Sequence, residues 1–175
     1  KGSVVKMGAR IYGGTSIGPY CVVGGEIKNS LIMGYSNKAH DGYLGDSVIG
    51  EWCNLGAGTT VSNLRNSAGH VKVWSAFTEG FVEVGQKCGL LMGHHSKSAI
   101  QTAFNTGTVV GTAAQVFTSG LAPKLIRDFS WGVSGERRYE WDKLLRDIAN
   151  WKKLKGKILT DQEIQDLGAL YGQNH

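Results

Sequence analysis

A six-residue spacing of mainly apolar side chains recurs in four runs of this chain, and this spacing constrains the fold most. It fits neither an ordinary helix, with its period of 3.6, nor an ordinary strand, in which apolar residues alternate with period 2. A short repeat of this kind is typical of a β-solenoid, in which each coil stacks on the one before. The apolar residues on this beat are Val5, Ile11, Ile17, Val23, Ile32, Leu44, Ile49, Leu55, Val61, Met92, Phe104, Val110 and Val116, and the same beat includes Lys38 and Ser98.

Glycines and small side chains occupy fixed places in the repeat. Glycine suits corners, where the chain turns sharply, and it follows the apolar residue at Gly18, Gly24, Gly45, Gly50, Gly56, Gly93 and Gly111. Small or β-branched side chains come four residues after the apolar position, at Thr15, Cys21, Val48, Cys53, Thr59, Ser96 and Ala114. Counting the repeats that stay in phase predicts roughly five coils, which exceeds the minimum of about three that a solenoid needs.

This pattern resembles the hexapeptide repeat of acyltransferases, whose coils form a left-handed parallel β-helix of triangular section. The resemblance implies an all-β fold, and we predict the β-helix over residues 1–120. The beat is lost at about residues 66–89, where a loop is expected to leave the solenoid. Apolar residues on both sides of Glu79-Gly80 favour a β-hairpin within that loop.

Residues 121–175 are predicted to form a helical extension. Pro123 breaks the beat, and apolar residues then recur at helical spacing, at Trp141, Leu144, Leu145, Ile148 and Trp151. Thr160 and Glu163 form a capping box in front of a second short helix. The excess of basic residues is concentrated at residues 124–157, which carry ten basic and five acidic side chains, and it invites a nucleic-acid interpretation. Basic side chains interleaved with Asp142 and Asp147 instead favour a solvated face, so we predict no nucleic-acid partner.

Composition limits the remaining classes. With 175 residues the chain is long enough for one domain with a sizeable core. It has neither the roughly 18 consecutive apolar residues of a membrane span nor a signal sequence, so a cytoplasmic protein without membrane contact is expected. Cys21, Cys53 and Cys88 lack the spacing of a zinc site or a disulfide framework, and no metal site is predicted.

Polar side chains are dense on the early repeats, although the interior of such a fold requires apolar residues. The motifs are Glu26-Ile-Lys28, His40-Asp-Gly-Tyr43, Asn54 and Asn63, preceded by Arg10. In these motifs the chain resembles the C-terminal acetyltransferase domain of bifunctional glucosamine-1-phosphate acetyltransferase/N-acetylglucosamine-1-phosphate uridylyltransferases. It is most similar to their sugar-phosphate nucleotidylyltransferase-like relatives. The specific match runs without a gap from Arg10 to Asn63.

The resemblance implies an N-acetyltransferase that uses acetyl-CoA to acetylate glucosamine 1-phosphate or galactosamine 1-phosphate in UDP-amino-sugar biosynthesis. His40 matches the base of the family, and neutral imidazole is suited to accept a proton near pH 7. Glu26 matches the acidic residue near the base, where a carboxylate would fix the imidazole tautomer. Asn63 is expected to help hold the reacting centre. Attack by the amine is direct, without a covalent enzyme intermediate.

The substrate phosphate requires cations and a hydroxyl donor. The matched binding positions are Arg10, Lys28 and Tyr43 for the phosphate, Asn54 for the amino sugar and Ala57 for the thioester of acetyl-CoA. The family has another phosphate-binding lysine six residues after the second asparagine, where this chain has Gly69. Lys72, three residues further along, is expected to substitute for it.

The family also implies a homotrimer in which adjacent subunits share each active site. Its N-terminal nucleotidyltransferase domain is not part of this sequence, and only such a domain would require Mg²⁺. A catalytically silent alternative is a trimerising or regulatory β-helix of a sugar-1-phosphate nucleotidylyltransferase.

A second alternative is a γ-class carbonic anhydrase, which uses the same fold and binds zinc through three histidines. Here His94 and His95 are adjacent. Adjacent residues of one strand point to opposite faces, so both cannot bind a metal from the same side. We therefore predict that His94 and His95 are corner residues.

Overall fold

The computed structural model describes residues 1–135 and 137–173, so Glu136 and residues 174–175 of the predicted extension lie outside the described residues. The described residues form short strands followed by two helices. The strands are β1 (Val4–Val5), β2 (Arg10–Ile11), β3 (Ser16–Ile17), β4 (Val22–Val23), β5 (Glu26–Lys28), β6 (Leu31–Ile32), β7 (Asn37–Lys38), β8 (Tyr43–Gly45), β9 (Val48–Ile49), β10 (Asn54–Leu55), β11 (Thr60–Val61), β12 (Lys72–Ser75), β13 (Gly80–Glu83), β14 (Leu90–Met92), β15 (Lys97–Ser98), β16 (Ala103–Phe104), β17 (Thr108–Val110), β18 (Gln115–Val116), β19 (Leu121–Ala122) and β20 (Leu125–Ile126). The helices are α1 (Trp141–Leu154) and α2 (Asp161–Gln173).

Strands of successive coils stack in parallel into three faces, and the predicted parallel β-solenoid is confirmed. The first face contains β1, β4, β7, β10, β15 and β18. The second face contains two ladders, β2-β5-β8 and β11-β16-β19, and the third face contains β3, β6, β9, β14, β17 and β20. Each coil therefore visits the first, second and third faces in turn.

The described residues complete six coils, one more than the repeat count predicts. A parallel bridge between Gln115 and Trp131 begins a seventh coil. Pro123 does not end the solenoid, because it lies in the corner between β19 and β20. Proline has no backbone N–H to donate, and a corner outside the ladders does not need one. The sixth coil is missed because Pro123, which breaks the six-residue beat, lies within it.

Residues on the beat point inwards and form one apolar core along the solenoid. Most are almost fully buried: Val23, Ile32, Leu44, Ile49, Leu55, Val61, Phe104, Val110 and Val116. Burial of a large apolar side chain contributes about 1.5–3 kcal/mol each, so these columns supply much of the stability. Lys38 and Ser98 are on the same beat and are also buried, with 2% and 6% of their surfaces exposed. Polar side chains at these two beat positions are therefore buried together with the apolar residues.

The corners between the third and first faces carry a column of stacked rings. Tyr20, Tyr35, Trp52 and His95 occupy equivalent corners, with φ values of 57°, 62°, 60° and 61°. Residues other than glycine rarely adopt this left-handed conformation. Their ring centroids are 5.1, 4.2 and 6.4 Å apart, and aromatic stacking compensates part of the backbone strain.

The predicted loop contains the expected hairpin. Strands β12 and β13 pair antiparallel, with Lys72 opposite Glu83 and Ser75 opposite Gly80. Both strands fall between β11 on the second face and β14 on the third face of the fourth coil. The hairpin thus interrupts one coil at the edge between these faces without shifting the stack.

The two helices pack against the last coils through a second apolar cluster. Its buried members are Ala113, Phe129, Tyr139, Leu144, Ile148 and Leu167. The predicted capping box is confirmed, because the Thr160 N–H donates to Glu163 Oε2 at 2.9 Å and the Glu163 N–H donates to Thr160 Oγ1 at 3.3 Å. Neither helix of the described chain is long and apolar enough to cross a membrane.

Some basic side chains of this extension face the protein, so the prediction of a solvated face is wrong for Lys152. Lys152 is only 4% exposed and donates to Glu163. Its ammonium lies 4.8 Å from the centre of the Trp52 ring. Lys155 Nζ donates to the Tyr20 carbonyl at 2.7 Å and to Asn37 Oδ1 at 2.8 Å. Part of the positive charge of the extension is therefore paired with aromatic rings and oxygen atoms on the solenoid surface.

Glu163→Gln is expected to destabilise the protein in a pH-dependent way. Burial raises the pKa of Glu163, but hydrogen bonds from Lys152 and Thr160 outweigh it and hold the pKa below its ordinary 4.5. The ionised carboxylate therefore stabilises the fold above pH 4.5, and this contribution is lost as the pH falls through the lower folded-state pKa. Because the side chain is 36% exposed, solvent limits the loss at pH 7 to about 1 kcal/mol.

Differential scanning calorimetry at pH 7 and pH 3 tests this expectation. At pH 7 the variant should unfold about 2–4 °C below wild type, and the difference should shrink at pH 3. Asp161→Asn, which changes an exposed carboxylate in the same helical turn, is the control. An equal destabilisation at both pH values would contradict the assigned ion pair.

Candidate active site

Three predicted site residues form one column on the second face. Arg10, Glu26 and Tyr43 are paired in register across β2, β5 and β8. The residues that follow Glu26 and Tyr43, Ile27 and Leu44, are buried, and successive strand residues alternate in direction, so the column faces outwards. Arg10 Nη2 donates to Glu26 Oε2 at 3.2 Å. In-register stacking thus brings a guanidinium, a carboxylate and a phenol together from three coils.

A hydrogen-bonded network lies beside this column at the corner between the second and third faces. Asn63 Nδ2 donates to the Tyr43 hydroxyl at 3.1 Å and to Asp46 Oδ2. Asn29 Nδ2 donates to the other carboxylate oxygen of Asp46 at 2.6 Å. Burial raises the pKa of Tyr43, and the neighbouring Asp46 raises it further, so the hydroxyl stays protonated as a donor. Asp46 therefore organises both Asn63 and Tyr43.

Asp46 and Asn29 were missed as organising residues by sequence reasoning. Both have positive φ values, 48° and 45°. Asn and Asp tolerate this conformation better than other residues that carry a Cβ atom. Their occurrence at equivalent corners of successive coils is the signal that was available in the sequence.

Lys28 lies on the same face, two residues after Glu26, and its side chain is exposed. Its register partner in the next coil is Gly45. A Cβ added to Gly45 would lie 2.1 Å from the Tyr43 hydroxyl, so the phenol occupies the space left by this glycine. The glycine after the beat thus allows Tyr43 to reach Asn63.

His40 lies at the corner between the first and second faces, where its side chain is exposed. The Gly58 N–H donates to the Asp41 carbonyl at 3.1 Å, which places the corner containing Ala57 directly beneath that of His40. No hydrogen bond joins Glu26 to His40 within the described residues, and the Glu26 carboxylate is paired with Arg10. The orienting role of Glu26 stays a prediction.

Asn54 is separate from this group. It lies in β10 on the first face, where Asn37 Nδ2 donates to its side-chain oxygen at 3.4 Å. The predicted residues therefore fall into four groups within one chain: Arg10, Glu26, Lys28, Tyr43 and Asn63 around the second face, His40 and Ala57 on its edge with the first face, Asn54 on the first face, and Lys72 in the hairpin. One chain does not bring them all together.

A cavity of about 1000 Å³ lies between the hairpin and the last three coils of the second face. Arg65, Lys72 and Lys124 line it together with Phe81 and Asn105, and no carboxylate lines it among the described residues. Lys124 Nζ donates to the Lys72 carbonyl at 3.1 Å. Burial lowers the pKa of Lys124, and the nearby Arg65 lowers it further. The cavity is therefore suited to an anion.

Arg65 lies next to Gly69, the position at which the family resemblance implies a phosphate-binding lysine. A Cβ added to Gly69 would lie 3.6 Å from Arg65 Nη1. The same nitrogen donates to the His70 carbonyl at 2.9 Å, which holds the guanidinium near Gly69. Arg65 and Lys124 were missed as members of one cationic group, because the stacking of coils, and not their spacing in the sequence, places both beside one cavity.

His94 and His95 occupy a corner, as predicted. His94 Nδ1 accepts a hydrogen bond from the Glu51 N–H at 2.9 Å. His95 stacks on Trp52, and burial first, then the neighbouring Lys97, lowers its pKa to about 3. Among residues 1–135 and 137–173, no group of three or more His, Cys, Asp or Glu side chains is placed to hold a metal ion.

Comparison with known proteins finds relatives over half or more of the chain. No family model matches the chain. It is 41% identical over 87 residues, half of the chain, to the bifunctional protein GlmU of Methanococcus aeolicus. It is 40% identical over 96 residues to GlmU of Methanocaldococcus jannaschii, and 34% identical over 107 residues to a bifunctional sugar-1-phosphate nucleotidylyltransferase/acetyltransferase of Sulfurisphaera tokodaii.

The chain is a homologue of these GlmU-type bifunctional proteins. The predicted resemblance is therefore confirmed. The matched regions cover 50%, 55% and 61% of this chain but only 21%, 23% and 26% of the three relatives. The chain thus spans about a quarter of the length of the GlmU-type proteins that it matches.

Gly45→Ala is expected to lower the free energy of unfolding by about 1–3 kcal/mol, because the new methyl group overlaps the Tyr43 hydroxyl and displaces the ring. Urea unfolding followed by circular dichroism measures the loss. Gly13→Ala is a matched control, since a Cβ there meets no atom within 4 Å. If the two variants were equally stable, the tight packing of Tyr43 over Gly45 would be wrong.

Proposed function

We propose that this chain is an acetyl-CoA-dependent N-acetyltransferase that acts on a hexosamine 1-phosphate, glucosamine 1-phosphate or galactosamine 1-phosphate, in UDP-amino-sugar biosynthesis. The column of Arg10, Glu26 and Tyr43, joined to Asn63 through the Tyr43 hydroxyl, carries this proposal. It combines cationic and hydroxyl donors suited to a phosphate with an amide beside them. Homology to the GlmU-type proteins, one of which is named an acetyltransferase, supports the same activity.

The reaction needs one proton to be removed from the amine. The amine nitrogen attacks the thioester carbonyl carbon of acetyl-CoA while His40 accepts the proton, and the carbon–sulfur bond then breaks. The imidazolium returns the proton to the leaving thiolate of CoA. An exposed imidazole on the edge of the second face suits this role, because it reaches substrate without crossing the solenoid.

Arg10 and Glu26 change partners in this proposal. Without substrate the guanidinium is paired with the carboxylate at 3.2 Å, and 62% of the Arg10 side chain is exposed. A phosphate dianion offers Arg10 a stronger bidentate partner than an exposed carboxylate does. Substrate binding thereby releases Glu26 to accept a hydrogen bond from His40 and to support the imidazolium.

The phosphate contacts are assigned to Arg10, Lys28 and Tyr43, with Asn54 and Lys72 as further substrate contacts and Ala57 beside the acetyl-CoA thioester. These residues lie on two faces, on one edge and in the hairpin, so we assign the complete site to the junction of adjacent chains in a homotrimer. This division, together with the family resemblance, supports a site completed by a second copy. The cavity lined by Arg65 and Lys72, which is suited to an anion, lies beside the second face.

The alternative is a catalytically silent trimerising or regulatory β-helix. The observation that favours it is the Arg10–Glu26 pair, which leaves His40 without a carboxylate partner among the described residues. Release of CoA separates the two functions. The purified chain is mixed with acetyl-CoA and either hexosamine 1-phosphate, and a thiol reagent measures free CoA. A folded chain that releases no CoA with either sugar favours the silent β-helix.

His40→Ala should lower kcat by about 10²- to 10⁴-fold, the usual contribution of a general base, and leave the KM for the sugar phosphate nearly unchanged. The thiol assay measures both constants. His94→Ala is a control on another edge of the solenoid and should retain activity. An equal loss of kcat in both variants would contradict the role of His40.

Lys28→Ala should instead change KM and leave kcat nearly unchanged. Removing a phosphate contact weakens ground state and transition state alike, so KM for the sugar phosphate should rise about tenfold while kcat stays within about twofold. Lys153→Ala removes an exposed cation of α1 and is expected to change neither constant. If Lys28→Ala reduced kcat and left KM unchanged, Lys28 would not be a uniform binding contact.

A further inference from the structure

Lys38 occupies an apolar position of the repeat. It lies in register with Val23 in the coil before, and the equivalent position of the coil after is Leu55. Only 2% of its surface is exposed. A buried amine costs stability relative to an apolar residue of similar size, even where it is hydrogen-bonded. Packing alone therefore does not explain a lysine at this position.

The Lys38 ammonium is directed at the corner that carries His40. Its Nζ donates to the His40 carbonyl and, at 3.3 Å, to the Gly24 carbonyl. Among the described residues, Lys38 is the donor to the His40 carbonyl, whereas the next two carbonyls of the corner accept from backbone N–H groups of adjacent coils. Asp41 accepts from Gly58 at 3.1 Å, and Gly42 accepts from Glu26 at 3.2 Å.

Close packing of the neighbouring coils also limits movement of the backbone at the corner that carries His40. A Cβ on Gly25 would lie 2.6 Å from the His40 carbonyl oxygen, and a Cβ on Gly42 would lie 2.0 Å from the Thr59 carbonyl oxygen. The coils on both sides thus press closely on the backbone around His40. A carbonyl that loses its donor in such a place turns to seek water, because an unsatisfied acceptor is costly.

We propose that Lys38 is a positioning residue, which fixes the backbone of His40 from inside the solenoid and so sets the direction of its imidazole. This inference rests on the proposed function, in which His40 is the base. Burial lowers the pKa of Lys38 to about 8, and the neighbouring Asp41 opposes that shift, so the amine is mainly protonated at pH 7. Lys38 itself does not touch the substrate.

Lys38→Met separates positioning from packing. Methionine has a similar length and suits the apolar column, so the midpoint of thermal unfolding should be unchanged or higher. A displaced base loses about tenfold to hundredfold in rate, so kcat should fall by that factor. The KM for the sugar phosphate should stay within about twofold. If Lys38 only filled space, kcat would be unchanged in Lys38→Met.

Lys97→Met is the matched control. Lys97 lies on the same face, in register with Asn54, and its Nζ donates to the His95 carbonyl at 2.9 Å. The Lys97→Met substitution therefore removes an equivalent contact from a corner that carries no proposed site residue, and kcat should be retained. Loss of kcat in both variants to the same extent, or in neither, would overturn the inference.

Hydrogen exchange tests the corner without relying on turnover. The amides of Glu26 and Gly58 donate to the carbonyls that follow His40, so they should exchange faster in Lys38→Met and at the wild-type rate in Lys97→Met. Unchanged exchange at both amides in Lys38→Met would overturn the inference. If wild type releases no CoA, the proposed function fails, and hydrogen exchange alone decides whether Lys38 holds the corner.

Discussion

The in-register stacking of one coil on the next is the constraint on which the rest of this structure depends. Each strand has only two to four residues, so a single strand has almost no stability by itself. Hydrogen bonds to the coils before and after it fix its position, and the same register aligns its side chains. A column such as Arg10, Glu26 and Tyr43 is therefore a direct product of backbone pairing between residues 16 and 17 positions apart in the sequence.

The same register explains how far the sequence could predict the fold. The six-residue beat specifies which side chains point inwards, because burial of apolar residues repeats once on each face. Thr160 and Glu163 specify a helix start locally, and apolar residues around Glu79-Gly80 specify the hairpin. Pro123 was misleading, because a corner tolerates proline where a strand would not. Local patterns succeed where the structure is local or strictly periodic.

The site was less predictable for a related reason. The family motifs gave the residues of the second face, but the partners of those residues depend on contacts between coils. Asp46 joins Asn29 and Asn63 only because their corners lie next to each other. Arg65 and Lys124 line one cavity only because their coils are stacked, although they lie far apart in the sequence. The pairing of Glu26 with Arg10 follows from register, and no spacing in the sequence distinguishes it from a pairing with His40.

A solenoid built only from neighbouring coils would open at its ends, because each coil contacts only the next. The helical extension opposes this, since its apolar cluster begins at the sixth coil while Lys155 donates to Tyr20, 135 positions earlier in the chain. Lys152 lies over Trp52 and Lys157 lies 6.0 Å from the centre of the Tyr20 ring, so the extension follows the column of stacked corners. Separating the first coils then requires loss of contacts made by residues 152–157 of the extension. This coupling links coils at opposite ends of the solenoid and helps preserve the register that forms the candidate site.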